Sequence, residues 1–113
     1  MKRRGVWWAQ LPAPTGRRPV LLFSRDHAYA VRNAVTVAFI TTAIRSIPVE
    51  VKLTAADGMP RECVVNLDLI NTIPKAAIVQ RVCELSNVRM AEVARAIQFA
   101  IQLQRWRPGL ESQ

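Results

Sequence analysis

Histidine is nearly absent from this chain, cysteine is scarce and acid is thin, and each shortage removes a class of chemistry. The single histidine, His27, excludes a histidine acid–base pair within one chain, although a dimer could juxtapose two copies, and it reads as a surface residue. Two cysteines, Cys63 and Cys83, lie far apart without a CxxC spacing, and with one histidine they do not make a zinc site. They read as reduced, buried thiols, and no metal or cofactor is called for. Apolar runs are short as well. None approaches the ~20 residues of a membrane span, and Val6 to Ala9 after Lys2-Arg3-Arg4 is too short for a signal-peptide core of roughly 7 to 15 residues. The expectation is a cytoplasmic protein without a membrane role. No repeat or low-complexity tract divides the 113 residues, half of them hydrophobic, so one domain is expected over 1–113, with an ordered core about 4–105 and a frayed C-terminal tail.

The shortage of acid is uneven. The chain has 16 basic and 8 acidic side chains, a net charge of +8. Residues 1–45 hold Lys2, Arg3, Arg4, Arg17, Arg18, Arg25, Arg32 and Arg45 against Asp26 alone, which is eight minus one, or +7; the rest carries +1. Such asymmetry points to a polyanionic partner, nucleic acid or an acidic protein segment, that meets the first half. A basic surface that only keeps the protein soluble is the plain alternative. Membrane-surface binding fits less well, because the charges fall on expected turns and strands rather than along one helix face.

The chain is organised around Gly16-Arg17-Arg18-Pro19-Val20-Leu21-Leu22-Phe23-Ser24. Val20 to Phe23 is an apolar run too short for a lone helix and bounded by Pro and Ser, which reads as a buried strand. Two arginines at its mouth are either solvated turn residues or guanidinium forks held by a rigid strand for a phosphate. Before it, Val6 to Leu11 reads as a strand and Pro12-Ala13-Pro14-Thr15-Gly16 as a loop. One indole of the Trp7-Trp8 pair is expected in the core and the other half exposed at a subunit contact; the sharper reading is a stacking platform for an unpaired base. After Ser24 come a short helical piece around Tyr29 and Val31, and then strands at Asn33 to Ile40, closed by Thr41-Thr42, and at Ile47 to Leu53. An Asp57-Gly58 turn, strands at Cys63 to Leu67 and Gln80 to Glu84, and an Asn71 to Pro74 segment complete the series. Many short strands at close spacing argue for a small barrel. One helix follows, N-capped by Ser86 with a Leu85–Met90 staple. Met90, Val93, Ala94, Ile97 and Ile101 form its expected core stripe. Ala96, Phe99, Leu103 and Trp106 form a second stripe, either a contact with another subunit or partner or a face covered by the tail.

The segment Arg18-Pro19-Val20-Leu21-Leu22, followed by Ser24 and Asp26, resembles the RPVLV-x-S-x-D signature of the MazF/PemK family of toxin endoribonucleases. More of that pattern follows in order: Arg4-Gly5 and Val6 to Leu11 before it, then Val35 to Thr42, Pro48 to Val51, Asp68 to Lys75, and Leu85-Ser86 at the last helix. The likeness runs from about Arg4 to Leu103. It implies an α+β domain, a small SH3-like (CcdB/PemK-like) β-barrel with a C-terminal α-helix. It also implies a homodimeric, metal-independent endoribonuclease that cuts single-stranded RNA, stops translation and growth, and is neutralised by an acidic MazE-like antitoxin whose disordered tail occupies the basic groove.

The resemblance maps chemistry onto Arg18 and Thr41 as the catalytic pair. Attack by the RNA's own 2'-hydroxyl needs alignment and charge neutralisation and no added nucleophile, and it leaves a 2',3'-cyclic phosphate and a 5'-hydroxyl. Arg18 would stabilise charge on the phosphorus oxygens, and Thr41 would hold a phosphate oxygen or relay a proton. Arg17, Ser24, Arg25, Thr42 and Arg45 are the candidates for binding the RNA strand, several through its backbone. Three departures from the family pattern stand out. Gly5 takes the place of a common acidic residue, Phe39 that of a frequent proline, and Leu69 that of a Gln or Asn, and a leucine cannot hydrogen-bond a base or phosphate. Two other readings remain: a CcdB-like toxin that binds DNA gyrase without catalysis, and an RNA-binding module with no turnover.

Overall fold

The computed structural model describes residues 1–24 and 31–102. Tyr29, Arg25, Leu103 and Trp106 lie outside them, and with them most of the expected helical piece and the end of the second apolar stripe. Among the described residues six strands, β1 (Gly5–Gln10), β2 (Arg17–Leu22), β3 (Ala34–Thr41), β4 (Glu50–Leu53), β5 (Cys63–Pro74) and β6 (Ile78–Glu84), precede a C-terminal helix, α1 (Asn87–Ile101). The strands form an antiparallel, open, barrel-like sheet in the order β4-β5-β3-β2-β1-β6. No helix among the described residues is long and apolar enough to cross a membrane.

The apolar run of β2 is continuous because both of its faces are covered. Leu21 joins a main core with Val6, Ala38, Ile40, Leu53 and Leu67. Val20 and Leu22 point the other way, into a second cluster with Ala9, Val35 and Val37. All three β2 residues are fully buried, each stabilising the fold by roughly 1.5–3 kcal/mol relative to exposure.

Strand β2 starts three residues earlier than its apolar run, so Arg17, Arg18 and Pro19 belong to the strand and not to a turn. Pro19 is tolerated inside the sheet because of where the ladders end. It pairs Trp8 of β1, but pairing with β3 begins only at Val20↔Phe39. Proline has no N–H to give, and on its β3 side none is required. The ladder between β2 and β3 therefore opens at Pro19, on the side where Arg18 and Thr41 emerge.

Two other boundaries differ from expectation. Strand β5 runs through what reads as a break after Leu67. Its partners on β3 jump from Ala38↔Ile70 to Ile40↔Val65, so Asn66 to Leu69 bulge opposite Phe39. Buried Asn66 serves the bulge, its Oδ1 accepting the Asp68 N–H at 2.9 Å. Strand β4 starts at Glu50, after a turn in which the Glu50 N–H donates to the Ile47 carbonyl.

Ser86 caps α1 as expected, its Oγ accepting the Arg89 N–H at 3.2 Å, and Leu85 is buried with Met90 packed on the same core. The buried stripe is Val93 and Ala96, flanked by Met90, Ile97 and Ala100. Ala96 thus belongs to the core face, whereas Ala94 and Ile101 are exposed.

Candidate active site

Where β2 and β3 part, the side chains of Trp8, Arg17, Arg18, Thr41 and Thr42 line a cleft of about 400 Å³. Ile40 and Cys63 contribute apolar surface, and Met59, Pro60 and Arg61, from the connection between β4 and β5, form the far wall. Among its described lining residues are three arginines and two threonines, and no carboxylate or imidazole.

The register explains why Arg18 and Thr41 share this space. Each β2–β3 pair sums to the same value, Val20↔Phe39, Leu21↔Ala38, Leu22↔Val37, and carrying that register two residues past Val20 sets Arg18 across from Thr41. With no proline at Phe39, β3 continues unbroken to Thr41. Phe39 also seats the arginine, the Arg18 guanidinium lying 5.8 Å from the centre of its ring. Arg17 is held from two sides. Its Nη2 donates to Gln80 Oε1 at 2.8 Å, and its guanidinium lies 4.9 Å from the centre of a Trp8 ring. Both arginines are thus positioned by neutral groups, which leaves their charge for an incoming anion.

Thr41 has a defined orientation too. Its Oγ1 accepts the Ala43 N–H at 3.1 Å, which fixes the hydroxyl and leaves its proton to donate into the cleft. Cys63 offers no nucleophile. Burial, reinforced by the neighbouring Cys83, pushes its thiol up to about 11, so it stays neutral at physiological pH.

The remaining candidates fall elsewhere. Ser24 is six residues beyond Arg18 along extended chain, ~20 Å at strand rise. Its Oγ accepts the Thr36 N–H at 2.8 Å, and it lines a separate groove of about 1030 Å³ between sheet and helix with Phe23, Arg32 and Ile97. Arg45 lies on the exposed β3–β4 loop, where the N–H groups of Arg45 and Ser46 both donate to Glu50 Oε1 at 2.9 Å, and its side chain is outside the cleft. Arg25 is outside the described residues. Leu69 is 41% exposed and not part of the cleft lining. Neither indole is a core residue: Trp7 packs against the second cluster while partly exposed, and Trp8 lines the cleft under Arg17. Arg61 has no counterpart among the residues singled out from sequence. A lone arginine between Pro60 and Glu62 carries no local signal; only the return of the β4–β5 connection to the cleft places it.

An open, barrel-like sheet carries a cleft of arginines and hydroxyls with no carboxylate among its described lining residues, an arrangement suited to an anion such as a phosphate. Residues 2–101 match the model of a family described as PemK-like, MazF-like toxin of type II toxin-antitoxin system, and the chain belongs to that family. "Probable endoribonuclease MazF5" of Mycobacterium tuberculosis is 38% identical over 104 residues, 91% of this chain and 94% of that one. "Endoribonuclease MazF2" of Mycobacterium bovis is 34% identical over 112 residues, covering 91% and 98%. Among solved structures, "Mycobacterium tuberculosis toxin MazF-mt6" superposes with a TM-score of 0.82 at 33% identity, over 91% of this chain and 100% of that one.

Proposed function

We propose that this toxin endoribonuclease cuts single-stranded RNA in the Arg18–Thr41 cleft, by attack of the RNA's own 2'-hydroxyl on the adjacent phosphorus. The observation that carries the reading is the convergence of Arg18 and Thr41, from two different strands, on one cleft free of carboxylates among its described lining residues. The 2'-oxygen forms a bond to phosphorus and loses its proton, the bond from phosphorus to the 5'-oxygen breaks, and that oxygen leaves with a proton. A 2',3'-cyclic phosphate and a 5'-hydroxyl result.

No external nucleophile enters this step, so the protein's task is alignment and neutralisation. The Arg18 fork meets the non-bridging oxygens, whose charge grows in the pentacoordinate state, and so binds that state better than the ground state. The Thr41 hydroxyl, its oxygen occupied by Ala43, donates to a phosphate oxygen. Arg17 and Thr42 hold the strand beside the scissile phosphate, and Arg45 contributes charge from the neighbouring loop.

A type II toxin has a protein antitoxin. The +7 of residues 1–45 suits an antitoxin with an acidic tail that competes with RNA for the basic surface. The chain acts as a homodimer in the cytoplasm; exposed Leu69, Ile70, Phe99 and Ile101 support a subunit contact.

The test is incubation with a long unstructured RNA in excess EDTA, followed by mapping of the fragment ends. Discrete cuts bearing 2',3'-cyclic phosphates, abolished by a single 2'-deoxy substitution at the cut site, are expected. Binding of RNA without cuts, or capture of gyrase without nuclease activity, would overturn the reading.

A further inference from the structure

The far wall of the cleft is built more rigidly than a connection between two strands requires. It begins at Thr54, whose Oγ1 accepts the Ala56 N–H at 3.2 Å while the Thr54 N–H donates to Asp57 Oδ2 at 2.9 Å, a reciprocal cap on the single turn Ala55–Asp57. Gly58 then takes φ 98°, and a Cβ there would meet the Cys83 side chain at 2.8 Å, so the chain passes too close to β6 for any side chain. Met59 follows, 4% exposed, its sulfur 3.7 Å from Cys83 Sγ. Asp57 is clamped to the helix by Arg89, Nε to Oδ1 at 3.0 Å. Cys63, 3% exposed, fixes the other end. Between buried Met59 and Cys63, Pro60, Arg61 and Glu62 are exposed, and proline restricts the backbone just before the arginine. Glu62, the one acid next to Arg61, is engaged by Lys52 at 3.3 Å. Among the described residues Arg61 has no ion pair, although it lines the same cleft as Arg17 and Arg18.

An exposed arginine on a pinned support, in one cleft with two others and with its neighbouring carboxylate drawn off, gains nothing for the fold. We infer that Arg61 is a phosphate-binding residue of the RNA site: it grips a backbone phosphate next to the scissile one from the wall opposite Arg17 and Arg18, so that the strand is held from two sides. This rests on the nuclease reading of the cleft. The scissile phosphate belongs to Arg18 and Thr41 across the opening, so Arg61 acts by positioning the strand.

Two measurements test it. The first is binding of a short mixed-sequence 2'-fluoro single strand, which cannot attack its own phosphates, as a function of salt. Arg61→Ala should weaken binding by roughly five- to tenfold at low salt and flatten the slope of log affinity on log salt by about 0.7, one single-strand phosphate contact. Arg61→Lys should keep the slope and recover part of the affinity. The second is the kinetics of RNA cleavage, where Arg61→Ala should raise KM and leave kcat nearly unchanged. Unaltered affinity and slope would overturn the assignment, as would a fall in kcat at constant KM or a loss of thermal stability that accounts for the binding defect. A wild type that binds the strand and cuts no RNA would defeat the nuclease reading alone, because the salt slope still decides whether Arg61 holds a phosphate.

Discussion

Among the described residues, six arginines fall into two sets, distinguished by their partners. Those of the frame meet carboxylates: Arg4 lies 3.4 Å from Glu84, Arg81 lies 3.8 Å from the same residue, and Arg89 contacts Asp57 at 3.0 Å and Glu92 at 3.1 Å. Those of the cleft meet an amide, two aromatic rings or nothing: Gln80 and Trp8 for Arg17, Phe39 for Arg18, no ion pair among the described residues for Arg61. An arginine paired with a carboxylate contributes to the fold but must give up that partner before it can neutralise a phosphate. One seated on a ring or an amide is equally still and keeps its charge. Composition shows the excess of arginine; only the partners show which arginines are free to act.

Breaking each set should have opposite consequences. The largest effect belongs to the cleft: Arg18→Ala should lower single-turnover RNA cleavage by about 10²- to 10³-fold, the range for removing one donor to a developing oxyanion. Its melting temperature should stay close to wild type, because the side chain has no ion pair among the described residues to lose. In the frame, Arg89→Ala should cost about 2 kcal/mol in denaturant unfolding, since it strips partly buried Asp57 of its counter-charge. Because Asp57 pins the far wall, that variant should also bind RNA somewhat more weakly.

Thr41→Val, which keeps the branched shape and removes the hydroxyl, should slow cleavage by about tenfold, roughly 1.4 kcal/mol of barrier, without a change in fold by circular dichroism. The acid limb of stability should sharpen the contrast. Burial alone would raise the Asp57 carboxyl, but hydrogen bonds from Arg89 and Thr54 and the Arg89 charge outweigh it and hold the group below its usual value. Its contribution is complete above an unfolded pKa of ~3.9 and fades as pH falls through the lower folded value. Asp57→Asn should therefore be less stable at neutral pH and lose less than wild type on acidification below about pH 4, as denaturant midpoints would show. Smallest is Arg45→Ala, expected to weaken RNA binding by about twofold at low salt and not measurably in high salt, as befits an exposed charge on a loop.

How far the sequence foretold this molecule depended on how local each signal was. The β2 strand was legible because Val20 to Leu22 are fully buried and the apolar run they open is bounded by proline and serine. Its true start was hidden, since an arginine-proline sequence reads as a strand mouth unless one knows that β3 is absent on that side. The length of β5 was hidden for a related reason: Asp68 to Thr72 are exposed, so no apolar alternation marks the strand there. On α1, Ala94 and Ala96 are chemically alike, and periodicity alone set the buried stripe a little out of phase. That Arg18 and Thr41 share one cleft was legible through their motif and the strand order it implies. Ser24 was misleading, because closeness in sequence along an extended chain is distance in space. Arg61 was invisible, for its place depends on the packing of Asp57 and Met59 against Cys83 and Arg89, from three separate parts of the chain.

The most direct test of this account is to compare Arg18→Ala with Arg4→Ala, a frame arginine whose Nε donates to the Leu85 carbonyl at 2.8 Å, for single-turnover RNA cleavage in EDTA at equal concentrations of folded protein. Arg4→Ala should unfold earlier and cut at the wild-type rate, whereas Arg18→Ala should keep its stability and lose cleavage at least about a hundredfold. Undiminished cleavage by Arg18→Ala, or an equal loss in both variants, would contradict this account.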